Sequence, residues 1–329
     1  MRRVLVTGAA GFFGSHMIRE ILETTDWEII ALCRLSNIGD MKRLTTDFMQ
    51  THAIDRVKFV YHDLKFDLSQ HLIETIGKVD YIIHLAANSH VDRSITHPKQ
   101  FFEDNVIGTV NLLEWYRLHN PSAKFINYLT DEVFGPAPSD YDFLEDDRWR
   151  PSNPYSASKC GQGAAGISYF VTYKLPIITT YTMNLFGERQ NAEKLVSKAI
   201  HNLHLNLPIP IHAQLDDNNN VVYVGERHWL HAKNAANATM FLLENGQAGD
   251  HYNVVGDIKM QNDEIVKYIA NIMGKKPILD YVDFHKTRPG HDRRYALNGQ
   301  KIKNLGWTPP VDFHTSMRNT IEWTINNTR

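Results

Sequence analysis

Short apolar runs alternate with longer stretches of helical period through the first half of the chain. Runs at 3–7, 27–33, 57–61, 81–85, 125–129 and 176–181 have the length and nearly unbroken apolar character of strands buried on both faces. Helical stretches lie between them at 15–23, about 70–77, 99–119 and 155–173. This alternation predicts an α/β fold, a doubly wound parallel sheet whose ligands gather at the carboxyl ends of the strands. Beyond 181 the regularity ends. A helix is predicted over 194–206, short strands over 208–212 and 221–224 around the turn Asp216-Asp-Asn-Asn-Asn220, and a helix over 232–244. A strand over 252–255 returns the chain to the first sheet, and helices follow at about 261–273, 299–305 and 313–327. The chain therefore divides into a larger lobe, 1–183 with about 226–256, and a smaller C-terminal α/β lobe, 184–225 with 257–329, facing each other across a cleft.

Composition narrows the chemistry. A chain of 329 residues, 43% hydrophobic, is longer than one core usually organises, in keeping with two lobes. Lys+Arg 35 against Asp+Glu 37 leaves a net charge of -2, which offers no general attraction for nucleic acid or anionic lipid. Small molecules become the expected partners. The two cysteines, Cys33 and Cys160, lack metal-ligand spacing and fit a reducing compartment. The 17 histidines form no metal-binding motif, so no metal site is expected. Gly8, Gly11 and Gly14 break the first apolar segment, and no run reaches the roughly 18 apolar residues of a membrane span. No cleaved leader and no membrane association are expected, and the location expected is cytoplasmic.

Three constellations carry candidate chemistry. The first is Gly8-x-x-Gly11-x-x-Gly14 between a strand and a helix, where Gly8 allows the tight turn, Gly11 a close approach to a pyrophosphate and Gly14 close helix packing. A dinucleotide is the expected ligand. An acidic residue at the end of the second strand would accept from the ribose 2′-OH of NAD, but Cys33 and Arg34 stand there. Arg34 reads either as a partner for the 2′-phosphate of NADP or as a solvated loop cation. The second constellation is Tyr155-x-x-x-Lys159, a phenol and an amine one turn apart on a helix, where a neighbouring ammonium would lower the phenol's pKa toward that of a usable base. Ala157, Gly161, Gly163, Ala164, Ala165 and Gly166 suit that helix to close packing on the sheet or on a second subunit. The third is Thr130-Asp-Glu132 at a strand end. Two adjacent carboxylates in a closed cleft split their pKa values into a proton donor and a base, as elimination of water requires.

With Leu85-Ala-Ala-Asn-Ser-His-Val-Asp-Arg-Ser94, Thr130-Asp-Glu-Val-Phe-Gly135, Pro154-Tyr-Ser-Ala-Ser-Lys159, Arg227-His-Trp-Leu230, Arg288-Pro-Gly-His-Asp-Arg-Arg-Tyr295 and the C-terminal Trp307-Thr-Pro, the chain resembles the extended short-chain dehydrogenase/reductase family along its whole length. Within it the resemblance is to the nucleotide-sugar 4,6-dehydratases, most of all the dTDP-glucose 4,6-dehydratase group. It implies a Rossmann lobe holding a tightly bound NAD(P), a C-terminal lobe holding a nucleotide-diphosphate hexose, and a homodimer formed through 99–119 and 155–173. The implied roles are specific. Tyr155 removes the proton from the hexose O4, Lys159 lowers the Tyr155 pKa and holds the nicotinamide ribose, and Thr130 holds O4. Glu132 takes the C5 proton while Asp131 protonates the departing C6 hydroxyl. Gly8, Gly11, Phe12, Phe13, Gly14, Arg34, Asp63, Leu64, Leu85, Ala86 and Ala87 join Tyr155 and Lys159 around the cofactor. Asn184, Arg227 and Arg288 hold the diphosphate, Lys194, Leu195, Pro210 and His212 enclose the nucleoside, and Ser89, His90, His291 and Asp292 complete the substrate set.

Four positions depart from the family pattern: Leu129 for Ser, Asn88 for Glu, His228 for Asp, and Cys33-Arg34 for an acidic residue. The sugar, the base and the cofactor's 2′ substituent stay open on that account, with Cys33-Arg34 favouring NADP and the family resemblance NAD. A 5,6-dehydratase or 4-epimerase on the same scaffold is an enzymatic alternative, and an NAD(P)-binding redox sensor a non-enzymatic one. Intact Asp131 and Glu132 weigh against the epimerase, and the intact catalytic set against the sensor.

Overall fold

Strands β1 (Arg3–Thr7), β2 (Glu28–Cys33), β3 (Val57–Tyr61), β4 (Tyr81–His84), β5 (Lys124–Thr130), β6 (Ile177–Thr182), β7 (Asn184–Phe186), β8 (Ile209–Leu215), β9 (Val221–Val224), β10 (Glu226–His231), β11 (His251–Val254), β12 (Ile258–Gln261) and β13 (Leu279–Asp283) build three sheets. The structure is a computed structural model that describes residues 1–34, 41–44, 52–283 and 294–327. The large sheet has seven strands in the order β11-β6-β5-β4-β1-β2-β3, all paired in parallel. Strand order reverses beside β1, so the loops leaving β1 and β4 part there and open a crevice at their carboxyl ends.

Burial on both faces explains why these runs read as continuous apolar segments. Val4, Val6, Ile29 and Ala31 pack on one face against Met17, Ile18 and Ile21 of helix Phe12–Thr24 and Ala235, Ala238 and Leu242 of helix Ala232–Asn245. On the other face, Leu5, Ile30, Ile82 and Phe125 meet Leu112, Leu113 and Tyr116 of helix Gly108–His119. The predicted return to this sheet is met by β11, which pairs with β6. The first helix begins at Phe12 rather than 15, because the Ser15 N–H already bonds the Gly11 carbonyl at 3.0 Å. The stretch predicted as one helix over 99–119 is helical but not uniform. Pro98–Phe102 runs into a π-helical turn, Glu103–Ile107, before Gly108–His119, and the widened turn carries the buried Asn105 and the nearly buried carboxylate of Asp104.

Two small sheets, of order β12-β10-β7 and β13-β8-β9, complete the molecule. Strands β7, β10, β12 and β13 escape a reading by apolar pattern, since Glu226-Arg-His-Trp-Leu-His231 alone is mostly polar. The first small sheet contributes to two cores. Leu185 and Leu230 pack with the large sheet's core, whereas Phe186 and Trp229 join a second core with Val196, Ile200, Ile265, Ile269, Met317 and Ile321.

Candidate active site

The glycine turn is built for close approach. Gly8 takes a φ of +67°, and a Cβ there would lie 2.8 Å from the Ala86 nitrogen; one on Gly14 would lie 2.2 Å from the Gly8 carbonyl. Helix Phe12–Thr24 follows with Gly11 as its cap, with no side-chain cap bond and no acidic residue in its first turn. Its first N–H groups and positive dipole end suit an anion such as a pyrophosphate. Across the crevice, a buried chain fixes the loop 85–87. Thr109 Oγ1 donates to the Asn105 carbonyl at 2.6 Å and so accepts from His84 Nε2 at 2.8 Å; Nδ1 then accepts from Thr7 Oγ1 at 2.8 Å, which receives the Ala86 N–H at 3.1 Å. Burial, with the nearby Lys159 charge, pushes His84 down to about 3, so it is neutral and holds one tautomer. Sequence reasoning missed His84, and only a polar residue at the end of a buried strand could have signalled it.

Arg34 is engaged. Its guanidinium lies 3.0 Å from Asp104 and 3.9 Å from Asp63, while Lys65 lies 3.6 Å from Asp63 and 3.9 Å from Asp104. Two cations and two carboxylates sum to no net charge. Leu64, beside Asp63, is buried against Gly108, its carbonyl held by Asn111 Nδ2 at 2.8 Å.

Strand β5 runs one residue further than predicted, to Thr130, and a 3-10 turn, Asp131–Phe134, follows with Thr130 as its cap. Thr130 Oγ1 donates to Asp131 Oδ1 at 2.8 Å and accepts the Glu132 N–H at 3.3 Å, and it lies close enough to the Tyr155 phenol to oppose the rise in that group's pKa. The three predicted residues and Tyr155 therefore lie together. Burial, and then the Glu132 charge, raises Asp131 to about 7 against the opposing Thr130 bond and Arg227 charge; its Oδ2 is buried and has no hydrogen-bond partner. That is the condition of a carboxylic acid holding its proton near neutral pH. Glu132 Oε2 accepts from Asn153 Nδ2 at 3.1 Å and from the Tyr295 hydroxyl at 3.4 Å. Asn153 was also missed, although an Asn before Pro154 is a readable helix start.

Tyr155 and Lys159 lie on helix Pro154–Tyr173, packed on the sheet through its small residues. The phenol stands above its ordinary range, through burial first and the Glu132 and Asp131 charges next, so the lowering expected from Lys159 is not met. Burial also draws Lys159 down to about 7, its Nζ donating to the Tyr128 carbonyl at 2.7 Å and to Gln162 Oε1. Leu129, the unexplained departure, points to the helix side of β5 and touches the place where a Gly163 Cβ would stand, beside Trp149. It is a packing residue.

On β10, Arg227 is buried with its guanidinium 4.3 Å from the centre of the Tyr295 ring, and its charge reaches Asp131. Asn184 sits on β7 opposite Trp229 of β10. His90 Nε2 lies 3.3 Å from Glu193, and the charge of Lys194, just before helix Leu195–His204, also acts on His90. Pro210 and His212 share one face of β8, alternating with the buried Ile209, Ile211 and Ala213. Arg288, His291 and Asp292 lie outside the described residues. No cluster of His, Cys, Asp or Glu able to hold a metal occurs among the described residues.

A family model described as GDP-mannose 4,6 dehydratase matches residues 5–320. The chain is 33% identical to dTDP-glucose 4,6-dehydratase of Shigella flexneri, over 99% of this chain and 93% of that protein. Among solved structures, dTDP-glucose 4,6-dehydratase of Bacillus anthracis in complex with NAD superposes with a TM-score of 0.86 at 31% identity, over 99% of this chain and 97% of that one. DesIV, the dTDP-glucose 4,6-dehydratase of Streptomyces venezuelae with NAD and TYD bound, gives the same score, identity and coverage.

Proposed function

The chain belongs to the GDP-mannose 4,6-dehydratase family, within the extended short-chain dehydrogenase/reductases, and we propose that it is a nucleotide-hexose 4,6-dehydratase. It converts a dTDP-glucose-like NDP-hexose to the 4-keto-6-deoxy sugar nucleotide by C4 oxidation, loss of water across C5 and C6, and return of the hydride to C6. The observation that carries this reading is the pair Asp131 and Glu132, both bonded to Thr130 and both close enough to charge the surroundings of Tyr155, with Asp131 raised to about 7. Thr130 holds O4 and Tyr155 takes its proton. Burial makes the phenolate costly, and Lys159, one turn on with its Nζ held by the Tyr128 carbonyl and Gln162 Oε1, is assigned to the nicotinamide ribose. Glu132 removes the C5 proton, and Asp131 gives its own to the leaving C6 hydroxyl. Arg227 and Asn184, with Arg288, hold the diphosphate; Ser89, His90, Lys194, Leu195, Pro210, His212, His291 and Asp292 enclose the rest of the substrate.

The lobe formed by 1–183 with about 226–256 takes the dinucleotide, through the glycine turn with Phe12 and Phe13, Asp63-Leu64 and the loop 85–87. A bound nicotinamide dinucleotide supplies a reversible hydride acceptor. We assign it as NAD rather than NADP, because a 2′-phosphate beside Arg34 would meet Asp63 and Asp104 as well. Two copies associate through the helical stretch 98–119 and helix Pro154–Tyr173, which expose Phe102, Ile107, Val171 and Tyr173. The test of the activity is incubation with dTDP-, UDP-, GDP- and CDP-hexoses, followed by mass spectrometry. Loss of one water from at least one donor is expected, and no loss from any would end the dehydratase reading.

A further inference from the structure

Asn153 stands immediately before helix Pro154–Tyr173 and is buried. Its Oδ1 accepts the Ser156 N–H at 2.9 Å, and the Ser156 hydroxyl returns the bond by accepting the Asn153 N–H at 3.2 Å, closing a capping box. Because the cap requires an acceptor, the amide's orientation is fixed, and the Nδ2 end is left to donate to Glu132 Oε2 at 3.1 Å. Capping alone does not require this residue. Ser, Thr and Asp cap helices about as well, but none of them joins an acceptor for the cap to an amide donor for a carboxylate.

We propose that Asn153 is a positioning residue which ties the Glu132 carboxylate to the helix bearing Tyr155 and Lys159, so that the elimination step is held in register with C4 oxidation. The inference rests on the dehydratase reading of this site. Elimination needs Glu132 within hydrogen-bond reach of the C5 proton of a sugar whose O4 is held by Thr130 and Tyr155, and a carboxylate free to change rotamer loses that geometry. The Tyr295 hydroxyl, 3.4 Å from the same Oε2 and beneath Arg227, closes the other side.

The test compares Asn153→Ser, which keeps a cap and removes the donor, with Asn153→Asp, which keeps the cap acceptor and places a carboxylate where the amide stood. Two steps are read separately: C4 oxidation as the near-ultraviolet absorbance of reduced nicotinamide, and elimination as loss of water by mass spectrometry. In Asn153→Ser, oxidation should stay within about 2-fold of wild type while water loss falls about 10-fold or more, so that reduced cofactor accumulates. Asn153→Asp should accumulate it further. Both variants should keep the wild-type melting temperature within a few degrees, since the cap survives. A wild type that performs both steps, with Asn153→Ser equally fast in both or equally slowed in both, overturns the inference alone. A wild type that forms no reduced cofactor and loses no water with any donor overturns the dehydratase reading and the inference with it.

Discussion

At the scale of the residue, the division of labour proposed for the adjacent carboxylates rests on what surrounds each. Asp131 has an oxygen with no partner in a buried site and rises from 3.8 to about 7; Glu132 has two donors on one oxygen. In the fold Asp131 keeps its proton over a range where the unfolded chain has released it. Its contribution to stability is therefore complete below about pH 4 and is lost as the pH rises through about 7, a loss on the order of 4 kcal/mol. Asp131→Asn, which mimics the protonated acid, should melt several degrees above wild type at about pH 8 and together with it at about pH 4, as followed by circular dichroism. The acid role proposed for Asp131 uses the same proton, so the rate of water loss should decline as the pH rises beyond about 7. Glu132→Gln should still form reduced nicotinamide while blocking loss of water; unimpaired elimination in that variant would remove Glu132 from its role as base.

At the scale of the element, the helix Pro154–Tyr173 comes close to β5 where Gly163 and Gly166 carry no side chain. A Cβ on Gly163 would lie 2.6 Å from Leu129 Cδ1 and 2.6 Å from Trp149 Cη2, and one on Gly166 would lie 2.6 Å from Asn127 Nδ2. Leu129 therefore fills a gap that Gly163 leaves. Leu129→Ala should cost about 2–5 kcal/mol through the cavity it creates, and Gly163→Ala about 1–3 kcal/mol through overpacking. The double variant should lose less than the sum, since the methyl added at position 163 enters the space Leu129 vacates. Denaturant titration of the four proteins gives the coupling, and strict additivity would mean that the two do not share that space.

At the scale of the molecule, the charge balance around Arg34 bears on the cofactor. NAD should bind more tightly than NADP by calorimetry, and Arg34→Ala should change NAD affinity less than about 5-fold; a marked preference for NADP, lost in that variant, would return Arg34 to the role of a 2′-phosphate ligand. Sedimentation should give a dimer, and substitution of Val171 and Tyr173 by Asp should shift it to monomer without loss of fold. The strands of the large sheet and the helices around it were legible because burial on two faces leaves a local imprint, an apolar run or a 3.6-residue period. Strands β7 and β10 leave none, since each takes one face from either core, and polar Glu226, Arg227 and His228 occupy positions that only a shared sheet makes structural. The chain by itself thus determined the kit: a glycine turn, a Thr-Asp-Glu strand end, and a Tyr and a Lys one turn apart. What tertiary structure alone decided is how those groups are conditioned. The raised pKa of Asp131, the bond from Asn153 to Glu132, and the neutral His84 behind the loop 85–87 all arise from desolvation and from bonds between residues distant in sequence, which no local pattern records.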